Sequence, residues 1–216
     1  MTPALAPAPD RRPDIRTHIL DTAFGLLADH GVAYLTQPRV SKAAGVRQSH
    51  LTYYFPTRSD LLAGVARHSM EILAGPLIDQ AQRGALTAAS LPVILTGALT
   101  DRRRIRAVLG LVVTADEDPK VRDALRELLG LVRQRLGEMF EPMGLPNDPA
   151  SLALLHTFVV GAAVLNHAQA NEAGHREAEA AARFIAELLP SLAHHAGARP
   201  HAARTPDPGP TSGERA

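Results

Sequence analysis

Residues 36–55 read TQPRVSKAAGVRQSHLTYYF, and the organisation of the chain follows from how this stretch folds. Thr36 is placed to cap a short helix that tolerates Pro38 in its first turn. Gly45, between Ala44 and Val46, can take the positive φ that a sharp turn demands. A second short helix then runs from about Arg47 to Tyr54. Two helices that cross closely need a small residue in the first and apolar residues that lock the pair. Ser41 is the small residue, and Val40, Val46 and Leu51 form the lock. The spacing predicts a helix-turn-helix whose second helix turns its outer face to solvent.

The flanking sequence is helical in period as well. Asp14 can cap a helix carrying Ile15, Ile19, Ala23, Leu26 and Leu27 on one face, with Gly31 where a left-handed C-cap is wanted. Thr57 and Asp60 have capping-box spacing at the head of a fourth helix bearing Leu61, Leu62, Val65 and Ala66. One or two weaker helices are expected between Gly75 and Thr100, interrupted by Pro76, Gly84, Pro92 and Gly97. Asp101 caps a helix through Ile105, Val108, Leu109 and Val112. Asp118-Pro119 opens the strongest amphipathic run, Val121, Leu125, Leu128, Val132, Leu136 and Met139. Asn147-Asp148-Pro149 opens another helix, and a last one covers about His175 to Leu189.

Composition agrees with packed helices: 45 % of residues are hydrophobic and only 4 % aromatic, and no strand period is found. Absence of cysteine excludes disulfides, thiolate metal sites and cysteine nucleophiles. The proline-bearing N-terminus does not read as a signal peptide. No apolar run reaches the ~18 residues of a membrane helix, so no membrane association and a cytoplasmic protein are expected. Net charge is only +1, but His30 to Ser59 holds no Asp or Glu while carrying Arg39, Lys42, Arg47 and Arg58. A local basic window on a near-neutral chain is the footprint of a nucleic-acid reader.

With these elements in fixed order, Leu20–Leu62 resembles the DNA-binding region of TetR-type transcriptional regulators. The resemblance rests on His30-Gly31, Thr36, Ala44-Gly45-Val46, Tyr54-Phe55, Arg58 and Leu61-Leu62. It departs from the family pattern at Arg47, where Ser is usual, at Thr52 in place of Tyr, and at Gln37 in place of Val. The departures fall on the readout surface and leave the packing residues intact. The chemistry of the second helix makes Arg47 and Gln48 the expected readers of base edges, with Ser49 and His50 beside them. Thr36, Thr52, Tyr53, Tyr54 and Arg58 are expected phosphate contacts; for Tyr54 and Arg58 the resemblance implies the same.

The expected fold is all-α: a three-helix N-terminal helix-turn-helix domain over 13–57, then a helical effector-binding and dimerisation bundle over 58–192. Residues 1–12 and 193–216 are expected to be disordered tails. Leu152 to Leu165 is apolar nearly all round and needs cover on both faces. With the stripe Phe184, Ile185, Leu188 and Leu189, it predicts a homodimer through helices around 150–170 and 176–189, as the resemblance also implies. One motif contacts too little DNA, so a dimer on a palindromic double-stranded operator is expected, released by a small-molecule effector. Polar or aromatic residues on apolar helices, Thr114, Phe140, His156, Phe158, Asn166, His167 and Gln169, are the candidates to line the effector pocket. His156 and His167, eleven residues apart, share a helix face.

No cofactor, metal or catalytic residue is expected. Two other readings remain: a helical-bundle metal-binding enzyme, and a helix-turn-helix regulator controlled by a protein partner. The first would need paired E-x-x-H motifs, and Glu172–His175 is a single instance.

Overall fold

The computed structural model describes residues 14–196; for 70, 73, 74, 76–78, 82, 88 and 191–196 it describes the backbone alone. Nine α-helices are found among the described residues: α1 Ile15–His30, α2 Gln37–Ala43, α3 Gln48–Tyr54, α4 Arg58–Gln82, α5 Leu91–Thr100, α6 Arg102–Glu117, α7 Pro119–Phe140, α8 Pro149–Gln169 and α9 Glu172–Ala196. Short 3₁₀ turns cover Val32–Tyr34, Ala88–Ser90 and Glu141–Met143.

Caps set most of the boundaries. Asp101 accepts from the Arg104 amide at 3.0 Å, and Asp118 and Asp148 each accept from two amides of the turn they open. Thr57 and Asp60 close a reciprocal capping box, with Asp60 N to Thr57 Oγ1 at 3.1 Å and Thr57 N to Asp60 Oδ2 at 3.0 Å. Asp14 and Thr36 occupy N-cap positions without a side-chain cap bond. Gly31 ends α1 at φ 80°, ψ 173°, an extended positive-φ conformation and not the left-handed helical one the sequence suggests.

Two element boundaries differ from expectation. α4 is a single 25-residue helix that runs through Gly75 and Pro76. Its long packing against α7 outweighs the ~3 kcal/mol that an internal proline costs. α9 starts at Glu172 and continues to Ala196, so residues 193–196, assigned to the tail by composition, are helical. The remainder of the expected tails, 1–12 and 197–216, lies outside the described residues.

Two apolar clusters organise the packing. The first gathers α1 to α4 around Ile19, Leu27, Leu35, Val40, Leu51, Phe55, Leu61 and Leu62 and extends into Ala107 and Leu111 of α6 and Val121 of α7. The core of the N-terminal helices is therefore continuous with the body. The second joins α5, the start of α6, the end of α7, α8 and α9 through Leu91, Leu99, Ile105, Phe140, Leu152, Leu155 and Ile185.

α8 corrects only the expectation about run length. At 21 residues it is long and apolar enough to cross a membrane by length and composition. It qualifies because its ends, Pro149–Ser151 and Asn166–Gln169, add no charged residue to the apolar run. It packs beside α5 and α9 in the bundle.

Candidate nucleic-acid interface

α2 ends in a hydrogen-bonded glycine turn. Gly45 has φ 67°; its amide donates to Lys42 O at 3.3 Å and the Val46 amide donates to Ser41 O at 3.0 Å. This paired pattern satisfies the last carbonyls of α2 and reverses the chain sharply into α3. Val40 and Leu51 are fully buried where the two helices cross, and Ser41 is almost so. Ser41 Oγ lies 3.0 Å from Pro38 O and 2.8 Å from Gln48 Oε1, a single proton serving either acceptor. Behind the motif, His18 Nε2 reaches Ala44 O at 3.0 Å and Gln37 Nε2 donates to Phe55 O at 2.6 Å.

The structure sorts the expected contact residues into two groups. Arg47, at the N-cap of α3, and Ser49 and His50 in its first turn are exposed, and among the described residues none has a side-chain partner. Tyr53 is 79 % exposed and meets the half-buried Tyr54 edge to face at 5.1 Å. Gln48 is tethered by Ser41, and Thr52 Oγ1 lies 3.1 Å from the Gln48 carbonyl on its own helix. Arg58 is exposed but engaged: it donates to Leu35 O at 3.0 Å and Val32 O at 2.8 Å, holding the segment before α2. Arg39 lies over the Tyr34 ring at 4.0 Å. Lys42 is exposed and without an acidic partner. Sequence reasoning placed it in the acid-free window but not among the contact residues. Lys42 and Arg47 thus leave unneutralised positive charge beside the turn.

The motif is fastened to the body at two places. Lys120 Nζ meets Asp60 Oδ1 at 2.6 Å, and Arg67 Nε meets Glu127 Oε2 at 2.6 Å, joining α4 to α7. The Lys120 bond holds the Asp60 carboxyl below its ordinary range, and the Arg67 bond does the same for Glu127. The Ser59 hydroxyl likewise depresses Asp118. On the other side, Arg103 grips Asp29 with two bonds of 2.6 and 2.9 Å, and Arg106 donates to the Asp29 carbonyl at the end of α1. A cleft of about 440 Å³ lies at the α4–α7 junction, bordered by Arg16, Phe55, Asp60 and Lys120.

The expected effector residues do not converge on one place. Thr114 bonds its own helix at Gly110 O, and Phe140 is 2 % exposed in the core. Asn166 donates to Leu99 O at 2.9 Å and lines a cleft of about 610 Å³ with Thr100, Arg102 and His175. Gln169 donates to Glu177, and Phe158 faces outward, 44 % exposed. His156 and His167 lie about 16 Å apart along α8, too far to hold one small group. Burial lowers the pKa of both. Arg133 and Arg104 add to this at His156, and Arg102 and Arg106 at His167, whose Nδ1 is buried without a partner.

Comparison with known proteins completes the description. The family model for bacterial regulatory proteins of the tetR family matches residues 19–65, and that for the tetracyclin repressor-like C-terminal domain matches residues 82–191. The HTH-type transcriptional repressor LfrR of Mycolicibacterium smegmatis (strain ATCC 700084 / mc(2)155) is 47 % identical over 53 residues, 24 % of this chain. The match spans only 27 % of that repressor. A structure assigned to the TetR family of transcriptional regulators, from Rhodococcus sp., superposes with TM-score 0.66 at 18 % identity, covering 81 % of this chain and 97 % of the other. The multidrug binding protein EbrR complexed with proflavin superposes with TM-score 0.56 at 21 % identity, covering 80 % and 99 %. Fold and motif together define a helix-turn-helix regulator. The chain belongs to the TetR family.

Proposed function

We propose that this protein is a repressor that binds a palindromic operator as a homodimer and leaves it when a small molecule occupies the C-terminal bundle. In this reading residues 13–57 form the reading head and 58–192 the effector-binding and dimerisation body, and the protein acts in the cytoplasm. The observation that carries it is the pair Arg47 and Lys42, exposed and unneutralised at the head of a helix-turn-helix. Arg47 reads a guanine edge, and Lys42, Thr36, Tyr53 and Tyr54 contact phosphates. Arg58 contributes by shaping the approach to α2.

Dimerisation is supported by an open apolar face. On α8, Leu154, Phe158 and Leu165 are 65 %, 44 % and 66 % exposed, and with Gly161 they recur at helical spacing on one side. On α9, Phe184 and Leu188 are 60 % and 42 % exposed. A second copy covers both stripes in a four-helix contact. Gly161, with no neighbour within 4 Å, lets the partner approach closely. Small-molecule control is supported by the fold's likeness to EbrR, solved with proflavin. α4 transmits it, because one end carries the capping box beside the motif and its length lies along α7. A ligand that favours one spacing of the two heads shifts the population away from the DNA-bound form.

The test is fluorescence anisotropy on a duplex selected by the native protein from a randomised pool. Arg47→Ala with Tyr54→Ala should abolish sequence-specific capture while helix content is kept. Undiminished capture by the folded double variant would overturn the reading.

A further inference from the structure

Gln48 differs from its neighbours at the start of α3. Arg47, Ser49 and His50 are exposed and, among the described residues, have no side-chain partner. Gln48 is exposed as well, but its Oε1 lies 2.8 Å from Ser41 Oγ, across the α2–α3 crossing. Ser41 is a fixed point. It is 6 % exposed, it follows the fully buried Val40, and its carbonyl receives the Val46 amide at 3.0 Å. The bond therefore ties an exposed side chain on the outward-facing helix to a hydroxyl inside the motif.

A glutamine amide carries an acceptor at one end and two donors at the other. Free to turn, it pairs bidentately with adenine, accepting from N6 and donating to N7. In this motif the amide is not free. The Ser41 hydroxyl has one proton, and Gln48 Oε1 at 2.8 Å is nearer to it than Pro38 O at 3.0 Å. With Oε1 turned back to a buried hydroxyl, Nε2 is the end left on the exposed side, and it can only donate. An edge read by donors alone must offer acceptors. Guanine offers two in the major groove, O6 and N7. Adenine sets its N7 beside an N6 donor that would be left without an acceptor, and cytosine presents a donor. The bond also restricts the side chain before DNA arrives, which lowers the cost of ordering it on binding.

We infer that Ser41 is a positioning residue for base readout: it holds the Gln48 amide with its nitrogen outward, so that Gln48 selects guanine over adenine at one base pair of the operator. This deepens the operator reading given above and rests on it for its consequence in DNA. The base choice is then set from α2, by a residue too buried to enter a groove. Arg47 beside it also presents donors only, so acceptor-rich edges are favoured under the start of α3.

The experiment measures binding of the full-length protein to the selected duplex and to its single base-pair variants by anisotropy. Gln48→Ala should flatten the preference at one base pair, which marks the pair that Gln48 reads. There the native protein should bind guanine about ten-fold tighter than adenine. Ser41→Ala frees the amide and should shift that ratio about ten-fold toward adenine, with the other positions unchanged. Ser41→Ala combined with Gln48→Ala should behave as Gln48→Ala. Gln48→Glu keeps an acceptor for Ser41 but makes the outward end an acceptor too, and should move the preference to cytosine, whose N4 donates. Circular dichroism and Tm confirm that each variant is folded. A native preference for adenine or cytosine at the marked pair overturns the inference. So does a ratio unmoved by Ser41→Ala, a guanine preference kept by Gln48→Glu, or the absence of any pair that responds to Gln48→Ala. In the DNA-free protein, ¹⁵N relaxation of the Gln48 side-chain amide reads the bond itself. Its order parameter should fall in Ser41→Ala, and equal mobility in the two proteins overturns the inference. Failure of the native protein to capture any duplex would remove the regulator reading and the base choice with it, while the relaxation measurement still decides whether Ser41 holds the amide.

Discussion

Gly64 lies in α4 where the helix passes over the end of α3, and replacing it by alanine tests how tightly the reading head is seated. A Cβ at this position would stand 2.8 Å from Phe55 Cε1 and 3.1 Å from Leu20 Cδ2. Neither neighbour has room to retreat, since Phe55 is 2 % and Leu20 1 % exposed. Overpacking of this kind costs about 1–3 kcal/mol. Alanine in a helix interior recovers about 1 kcal/mol relative to glycine. The net effect is a destabilisation of about 1 kcal/mol. Gly130, exposed on α7 with nothing within 4 Å of an added Cβ, provides the control, and Gly130→Ala should stabilise by about 1 kcal/mol. The two variants should therefore differ by about 2 kcal/mol, or roughly 4–8 °C in Tm for a chain of this size. Thermal and urea unfolding at one fixed protomer concentration measure this, because a dimer's apparent stability varies with concentration. Gly64→Ala should also weaken capture of the selected duplex, since Phe55 follows the last residue of α3. If it unfolds at or above the native temperature, the Phe55 ring yields freely and the seating argued here is wrong.

Acid should destabilise the protein in two stages. His156 and His167 are held below the ordinary 6.5 chiefly by burial, so the unfolded chain binds protons first. Their contribution is complete above about pH 6.5 and is lost as pH falls through the lower native values. His156→Gln with His167→Gln should flatten the urea-midpoint profile there, leaving the fall below about pH 4 that comes from Asp60 and Asp118, whose native values are also depressed. Phe158→Asp with Leu165→Asp should give a folded monomer by analytical ultracentrifugation, and a persisting dimer would place the interface elsewhere. Asp118→Ala removes a cap that serves two amides of α7 and should cost about 1 kcal/mol in urea unfolding. Arg47→Ala should weaken capture by about 1–3 kcal/mol and relax preference at one base pair, while Lys42→Ala should weaken all duplexes alike and reduce the salt slope by about one. Equal effects on matched and scrambled duplexes would remove Arg47 from the readout.

The reading head was legible because its signals are local. Gly45 with its apolar flanks, the Thr57–Asp60 box and the Asp118-Pro119 start each act over four or five residues, and the structure forms all three. Arg58 was not legible in the same way. Its charge suggests a phosphate contact, yet its acceptors are carbonyls at Val32 and Leu35, more than twenty positions away in the chain. The effector candidates show the same limit. Polarity on an apolar helix singled out Asn166 and Thr114, whose side chains bond to the Leu99 and Gly110 carbonyls.

Local chemistry in the chain determined where most helices start, that the described residues pack as helices, and which short helix turns outward. Tertiary packing alone decided which charges are neutralised. Arg103 and Arg104 are neighbours with identical side chains, but one meets Asp29 across the α1–α6 contact and the other is half-buried, and among the described residues its guanidinium has no acceptor. A pattern of residue types carries helical phase; the sign of the field at each position depends on what distant helices bring to it.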